Sequence, residues 1–155
     1  MLSYRTGDLI KNVTQGTILH SCNSHGVMGA GFARQLKETY PKNYEVYRDW
    51  CLRVDHDNLG KALVTEGLTN TGPLLIINAV MQKDFATTEN PRATSYDAVD
   101  QIFSDLYGQN VSPAMNDHVQ MPRIGAGLGG GNWNIILEII LSHLPDNKQI
   151  TIWDL

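Results

Sequence analysis

The chain carries the stretch Gly125-Ala-Gly-Leu-Gly-Gly-Gly131, which follows an apolar strand-like run at 118–124 and leads directly into an amphipathic helical run. The stretch Gly26-Val-Met-Gly-Ala-Gly31 has the same setting earlier in the sequence. Glycine lets the backbone approach a ligand closely, and the free N–H groups at the start of a helix attract negative charge. Two such loops in one small protein therefore predict a single pyrophosphate that both loops hold.

Strand-like runs recur on either side of these loops. The expected strands lie at 1–6, 17–22, 59–65, 73–80, 118–124 and 149–155. The turn residues Asn70-Thr-Gly72 predict that the third and fourth strands form a hairpin. The fourth strand is apolar enough to be central in a sheet.

Apolar residues at helical spacing predict four helices between these strands. The first helix carries Phe32, Leu36 and Tyr40 and is ended by Pro41, and the second covers residues 43–52. The apolar stripe of the third is Tyr96, Val99, Phe103, Leu106 and Tyr107, and that of the fourth is Ile135, Ile136, Ile139, Ile140 and Leu144. Thr94 or Ser95 is the expected cap of the third helix, and Asn132 is that of the fourth. Residues 81–93 lack periodicity and predict a loop long enough to cover a site. Alternating strands and helices predict an α/β sandwich with a largely parallel or mixed sheet, in which ligands bind beyond the carboxyl ends of the strands.

Length and composition favour one domain covering 1–155, because 155 residues at 42% hydrophobic can bury a substantial core. The net charge of −4 argues against an extended nucleic-acid surface or membrane attachment and favours a small ligand. The sequence shows neither a membrane-spanning run nor a signal peptide, so we expect a soluble, cytoplasmic protein. Cys22 and Cys51 fit no metal or disulfide spacing and are expected as reduced, buried thiols.

Two familiar phosphate-binding motifs fit the second glycine loop poorly. Gly125, Gly127 and Gly130 satisfy the dinucleotide pattern G-x-G-x-x-G, but that pattern belongs after the first strand of a long βαβ series. Here only one helix and one strand follow it. A Walker A loop is excluded, because Asn132-Trp133 stands where lysine and a hydroxyl residue would be required.

Several short motifs, taken in order along nearly the whole chain, resemble those of the macrodomain family, the ADP-ribose-binding module. They are Tyr4-Arg-Thr-Gly-Asp-Leu9, His20-Ser-Cys-Asn23, Gly29-Ala-Gly-Phe-Ala33, Ile76-Ile-Asn-Ala79, Met121-Pro-Arg-Ile-Gly-Ala-Gly-Leu-Gly-Gly130 and Thr151-Ile-Trp-Asp-Leu155. The chain most resembles the branch with the yeast-type ADP-ribose 1''-phosphate phosphatase and the terminal ADP-ribose protein glycohydrolases. The resemblance implies a three-layer α/β/α macrodomain with a mixed central sheet.

The resemblance also implies roles for individual residues, each with a structural alternative. Asp8 would accept a hydrogen bond from the adenine amino group, or cap a helix that starts at Leu9. Asn23 would contact the distal ribose, or serve as a turn residue. The implied ligand-binding set is Asp8, Leu9, Ser21, Gly29, Ala30, Gly31, Phe32, Gln82, Gly125, Ala126, Gly127, Leu128, Gly129 and Gly130, with His20 and Asn23 as the catalytic residues.

His20 is the main catalytic candidate, because the resemblance places a histidine of the yeast-type phosphatase there. An imidazole can activate water or relay a proton near neutral pH, and a half-buried, hydrogen-bonded histidine is the alternative. The glycohydrolase relatives use a lysine near this pocket and an aspartate in the second loop. Gln82, rather than Lys83, aligns with the lysine, and Gly129 takes the place of the aspartate. The lysine–aspartate mechanism is therefore not assigned to this chain.

The paired loops and the resemblance together predict hydrolysis of ADP-ribose 1''-phosphate to ADP-ribose and phosphate, with neither a cofactor nor a metal ion. His20 would assist the attacking water, Asn23 would orient the distal ribose, and backbone donors would stabilise charge. The alternatives are removal of ADP-ribose from modified protein or nucleic acid, a non-catalytic ADP-ribose reader and, more distantly, a Rossmann-type enzyme. The expected partners are ADP-ribose, ADP-ribose 1''-phosphate and ADP-ribosylated macromolecules.

Overall fold

The computed structural model describes all of residues 1–155 and contains one sheet of six strands. The strands are β1 (Leu2–Thr6), β2 (Gly16–Asn23), β3 (Ala62–Gly67), β4 (Leu74–Gln82), β5 (His118–Pro122) and β6 (Gln149–Asp154). They are ordered β1-β6-β5-β2-β4-β3, and every neighbouring pair is parallel except β3 and β4. The sheet is therefore mixed, and the expected hairpin is the antiparallel β3–β4 pair at one edge.

Helices cover both faces of this sheet. They are α1 (Leu9–Asn12), α2 (Gly31–Thr39), α3 (Pro41–Arg53), α4 (Tyr96–Leu106), α5 (Pro113–Asn116) and α6 (Trp133–His143). Ile18 of β2 lies in one buried cluster with Leu36 of α2. The next residue, Leu19, lies in another buried cluster with Phe103 of α4 and Ile136 of α6. Because successive strand residues point to opposite faces, these clusters are the two interfaces of a three-layer α/β/α sandwich, as predicted.

Helix starts follow local capping chemistry. The Ser95 side chain accepts a hydrogen bond from the backbone N–H of Ala98 at the start of α4. The expected cap at Asn132 is likewise confirmed. The short helix α5 was not expected, although Ser112 caps it and Pro113 is its first residue, which is a common helix-start pattern. No helix of the structure is long and apolar enough to cross a membrane.

Five parallel strands, β1, β6, β5, β2 and β4, end at the same edge of the sheet. The two glycine loops follow β2 and β5, and the expected covering loop follows β4. Strand β4 runs two residues past its predicted end, so that Gln82 belongs to the strand, where its carbonyl accepts a hydrogen bond from the Ser24 N–H at 3.0 Å. The fold therefore brings three sequence-distant loops together.

The cap of α6 is testable on its own. The Asn132 Oδ1 atom accepts hydrogen bonds from the backbone N–H groups of Asn134 at 2.9 Å and Ile135 at 3.4 Å. Asn132→Ala leaves both donors without this partner, so we expect it to lower the free energy of unfolding by about 1 kcal/mol in urea denaturation. Asn134→Ala is the matched control on the same turn and should change it by less than about 0.5 kcal/mol. Equal effects of the two substitutions would contradict the capping role.

Candidate functional site

A cavity of about 550 Å³ lies at the carboxyl edge of the sheet, between the two glycine loops. This volume is in the range of small-molecule sites. The predicted site residues that line it are His20, Ser21, Asn23, Gly29, Ala30, Gly31, Phe32, Gln82, Gly125, Ala126, Gly127, Leu128 and Gly129. Most of the residues that the sequence predicted for one site, the first being His20 and the last Gly129, therefore lie around one cavity.

Three predicted site residues lie outside the lining of the cavity. Asp8 is the N-cap of α1, where its Oδ1 atom accepts a hydrogen bond from the Lys11 N–H at 3.1 Å. Leu9 is fully buried in the core. Gly130 packs so tightly on the Pro91 carbonyl oxygen that an added Cβ would overlap it. The structural alternative for Asp8 is therefore realised, while its role toward adenine stays a prediction.

The second glycine loop is fixed in shape by the end of the covering loop. The Gly129 carbonyl accepts hydrogen bonds from the N–H groups of Ala93 at 2.9 Å and Thr94 at 3.1 Å. The Thr94 hydroxyl donates to the Gly125 carbonyl at 2.8 Å. A Cβ at position 129 would overlap Thr94 Oγ1 and lie 3.0 Å from Gln82 Oε1. A side chain at position 129 therefore fits only if Thr94 or the loop moves.

Backbone N–H groups on both loops are free to bind an anion. In the first loop, those of Gly29 and Ala30 make no hydrogen bond within the protein. In the second loop the same holds for the consecutive residues 127–129. Consecutive free N–H groups and the start of α2 form concave anion-binding surfaces. Both loops therefore offer the donors that the sequence predicted for a pyrophosphate.

The two loops also contact each other. Gly31 has φ of +61° and opens α2, and a Cβ built there would lie 3.3 Å from Leu128 Cδ1. Leu128 is nevertheless 70% exposed, and it lines the cavity. Larger residues at position 31 would be strained by both the backbone and this contact.

His20, three residues before the end of β2, lies in the wall of the cavity and is buried. Its Nε2 atom is 2.6 Å from Asn78 Oδ1 on the neighbouring strand β4. Burial lowers the pKa of His20 from 6.5 to about 4, and the hydrogen bond with Asn78 offsets part of this effect. The imidazole is therefore neutral near pH 7, where it accepts or donates hydrogen bonds but carries no charge.

Asn23 also lines the cavity, and its amide is largely used within the first loop. Its Oδ1 atom accepts hydrogen bonds from the N–H groups of His25 at 3.0 Å and Val27 at 3.3 Å. Its Nδ2 group donates to the Val27 carbonyl at 2.8 Å. One N–H of the amide group remains for a ligand. Asn23 is thus the turn residue considered above, and its contact with the distal ribose stays a prediction.

The cavity holds no unpaired cationic side chain. Arg123 is the only lysine or arginine in its lining, and its Nε atom is 2.6 Å from Asp154 Oδ1. The hydrogen bond from Arg123 lowers the pKa of the Asp154 carboxyl group. No three His, Cys, Asp or Glu side chains lie close enough together to hold a metal ion. Charge on a ligand would therefore be met mainly by backbone N–H groups.

Several other residues of the lining lie outside the predicted catalytic and ligand-binding set. They include Cys22, Val27, Met28, Phe85, Ile124, Trp153, Asp154 and Leu155. Trp153 and Asp154 were within reach of sequence reasoning, because they end a strand whose carboxyl end faces the site. Phe85 lies on the expected covering loop, and its ring stacks on His25 at a centroid distance of 5.3 Å. Nothing in the local sequence shows that this ring reaches the cavity.

Most of the chain is similar in sequence to known proteins. The model of the Macro domain family matches residues 19–140. An uncharacterized 17.5 kDa protein of Enterobacteria phage T4 is 32% identical over 99% of this chain and 96% of its own length. The Mycobacterium tuberculosis DNA ADP-ribosyl glycohydrolase is 33% identical over 94% of this chain, which spans only 40% of that protein.

Two further relatives cover the whole length of the chain. The Candida glabrata ADP-ribose 1''-phosphate phosphatase is 26% identical over 99% of this chain and 98% of its own length. The solved macrodomain of Mycobacterium tuberculosis DarG superposes with a TM-score of 0.80 at 25% identity, covering 100% of this chain and 98% of that one.

The tight packing at position 129 yields a stability test. Gly129→Asp must push Thr94 or the loop out of place, so we expect it to lower the free energy of unfolding by about 2 kcal/mol or more in urea denaturation. Gly127→Ala is the matched control two residues earlier, because nothing lies within 4 Å of a Cβ built there. It should stay within about 0.5 kcal/mol of the wild type. A Gly129→Asp protein as stable as the wild type would contradict the packing described.

Burial of neutral His20 yields a pH test. The unfolded chain binds a proton at this ring below pH 6.5, whereas the folded protein binds it only below about 4, so folding stability falls as the pH drops through that window. We expect His20 to account for about 3 kcal/mol of the stability lost between pH 7 and pH 4. Urea denaturation of wild type and His20→Gln across this range measures the difference. Parallel pH profiles of the two proteins would show that His20 titrates equally when folded and unfolded.

Proposed function

Because the chain belongs to the macro domain family, we propose that its cavity binds ADP-ribose and hydrolyses ADP-ribose 1''-phosphate to ADP-ribose and inorganic phosphate. The observation that carries the proposal is the pair of glycine loops with free N–H groups at Gly29, Ala30 and 127–129, all lining one cavity. Such N–H groups bind phosphate oxygens without a cationic side chain. The likeness to the Candida glabrata phosphatase over its whole length supports a phosphate ester as substrate.

The adenosine end of the ligand would lie at the carboxyl end of β6. Trp153, Asp154 and Leu155 line this part of the cavity. The Gly7 N–H donates a hydrogen bond to the Asp154 carbonyl at 2.9 Å, so the neighbouring Asp8 lies beside the same end. The Asp8 side chain is 42% exposed. It caps α1 through one oxygen and keeps further acceptor capacity for the adenine amino group.

The distal ribose and its phosphate would lie between His20, Asn23 and Phe32. Neutral His20 accepts a hydrogen bond from a water molecule and orients it toward phosphorus. The bond from the water oxygen to phosphorus forms as the bond from phosphorus to the anomeric oxygen breaks, and the water proton ends on the departing oxygen. Phosphoryl transfer has a loose transition state, so positioning and N–H donors supply most of the catalysis and a weak base suffices.

Removal of ADP-ribose from DNA is the second candidate. The 33% identity to the Mycobacterium tuberculosis protein named DNA ADP-ribosyl glycohydrolase favours it. The lining of the cavity, however, contains neither lysine nor glutamate, and Gln82 and Gly129 stand where the resemblance places a lysine and an aspartate. Cleavage at the ribose carbon would have to rely on other groups, so the phosphatase remains the first proposal.

Phosphorus NMR of ADP-ribose 1''-phosphate mixed with the protein tests the proposal. The wild type should release inorganic phosphate. His20→Gln should lower kcat roughly 100-fold, because an amide oxygen is a far weaker base toward the water than an imidazole nitrogen. Its affinity for ADP-ribose, measured by calorimetry, should change little, since the diphosphate is held by the loops.

His143→Gln is the control, because this histidine pairs with Asp100 on the outer helices, away from the cavity. This variant should hydrolyse ADP-ribose 1''-phosphate with the kcat of the wild type. Binding of ADP-ribose without phosphate release would overturn the phosphatase proposal. Release of free ADP-ribose from an ADP-ribosylated oligonucleotide would select the second candidate, and turnover of neither substrate would indicate a reader.

A further inference from the structure

A buried chain of polar side chains runs from the cavity wall to the edge strand β3. His20, Asn78 and Asn43 are each at most 2% exposed. The His20 Nε2 atom is 2.6 Å from Asn78 Oδ1, and Asn78 exchanges two hydrogen bonds with Asn43, of 2.9 and 3.1 Å. The Thr65 hydroxyl on β3 donates to Asn43 Oδ1 at 2.5 Å. Burying polar groups this deeply costs free energy unless each has a hydrogen-bond partner, and the members of this chain are partners of one another.

The Leu63 carbonyl fixes the orientation of the whole network. Asn78 donates a hydrogen bond from Nδ2 to the Leu63 carbonyl oxygen at 3.0 Å. A carbonyl can only accept, so the amide atom facing it must be the nitrogen and the other must be the oxygen. Asn78 Oδ1 therefore faces His20, and an oxygen of this kind can only accept. Asn43 Nδ2 donates to the same oxygen at 3.1 Å, consistent with that orientation.

Neutral His20 carries a single N–H proton on its imidazole ring, and Asn78 decides which ring nitrogen holds it. Since Asn78 Oδ1 is an acceptor, the Nε2 atom of neutral His20 must carry the proton, and Nδ1 must carry the lone pair. The Cys22 sulfur lies 3.4 Å from Nε2 and 3.9 Å from Nδ1, so Nδ1 has no closer hydrogen-bond partner within the protein. We propose that Asn78, held by Asn43 and Leu63, is a positioning residue that makes His20 Nδ1 a fixed hydrogen-bond acceptor at the cavity.

This assignment restricts what His20 can do. A fixed acceptor at Nδ1 takes a hydrogen bond from a water molecule or a ribose hydroxyl and cannot donate a proton to a departing group. Of the two roles that an imidazole can have, water activation and proton relay to the leaving oxygen, only the first is compatible with this tautomer. The expected effect on turnover rests on the proposed function, whereas the tautomer of His20 does not depend on it.

Nitrogen NMR of the histidine side chains in the ligand-free protein at pH 7 tests the tautomer directly. The wild type should show Nε2 of His20 at the position of a protonated imidazole nitrogen and Nδ1 at that of an unprotonated one. The reverse pattern, or two averaged nitrogens, would overturn the proposal. This result does not depend on any catalytic activity, so it separates failure of the inference from failure of the proposed function.

Variants test the role of Asn78 itself. Asn78→Leu removes the acceptor at similar volume, and we expect the two His20 nitrogens to become averaged while kcat falls roughly tenfold or more with little change in KM. Thr65→Val is the matched control, because it removes a hydroxyl from the same network without touching His20 or the Leu63 anchor. It should keep the wild-type tautomer. If Asn78→Leu does not fold, Asn78→Ala serves in its place, because alanine also supplies no acceptor, and a single wild-type tautomer in the folded variant would overturn the role assigned to Asn78.

Discussion

The shared carboxyl edge of five parallel strands, β1, β6, β5, β2 and β4, is the constraint on which the rest of the structure depends. Ligands of α/β proteins bind outside the carboxyl ends of such strands, because the connecting loops diverge there. In this protein, the two glycine loops and the covering loop all start from that edge. Their meeting point is the cavity, and the hydrogen bonds between Thr94 and the second glycine loop fix its far wall.

The cavity offers a ligand neutral groups and backbone donors rather than unpaired charged side chains. Its one arginine is paired with Asp154, and burial keeps His20 neutral. The close packing that leaves no room for a side chain at Gly129 also holds the N–H groups of 127–129 in place. A site of this kind suits reactions in which positioning matters more than strong acid–base chemistry, and phosphoryl transfer is one of them.

Local patterns predicted most of the fold. The strand patterns, the helix break at Pro41 and the caps at Ser95, one of two candidates, and at Asn132 depend on neighbours within a few residues, and they match the structure except that the strand predicted at 59–65 lies at Ala62–Gly67. The pairing of His20 with Asn78 depends instead on the register of two strands 58 residues apart. The position of Phe85 in the cavity wall depends likewise on the path of the covering loop. Such long-range arrangements leave no periodic signal, so they could be learned only from the structure.

The most direct test of the central claim, that both loops hold one diphosphate, is an amide NMR titration with ADP-ribose. We expect the amides of 29–32 and of 125–130 to shift together and saturate with one dissociation constant, while those of 66–68, at the end of β3 beside the start of β4, do not respond. Response of only one loop, different saturation of the two, or shifts confined to another part of the chain would contradict it.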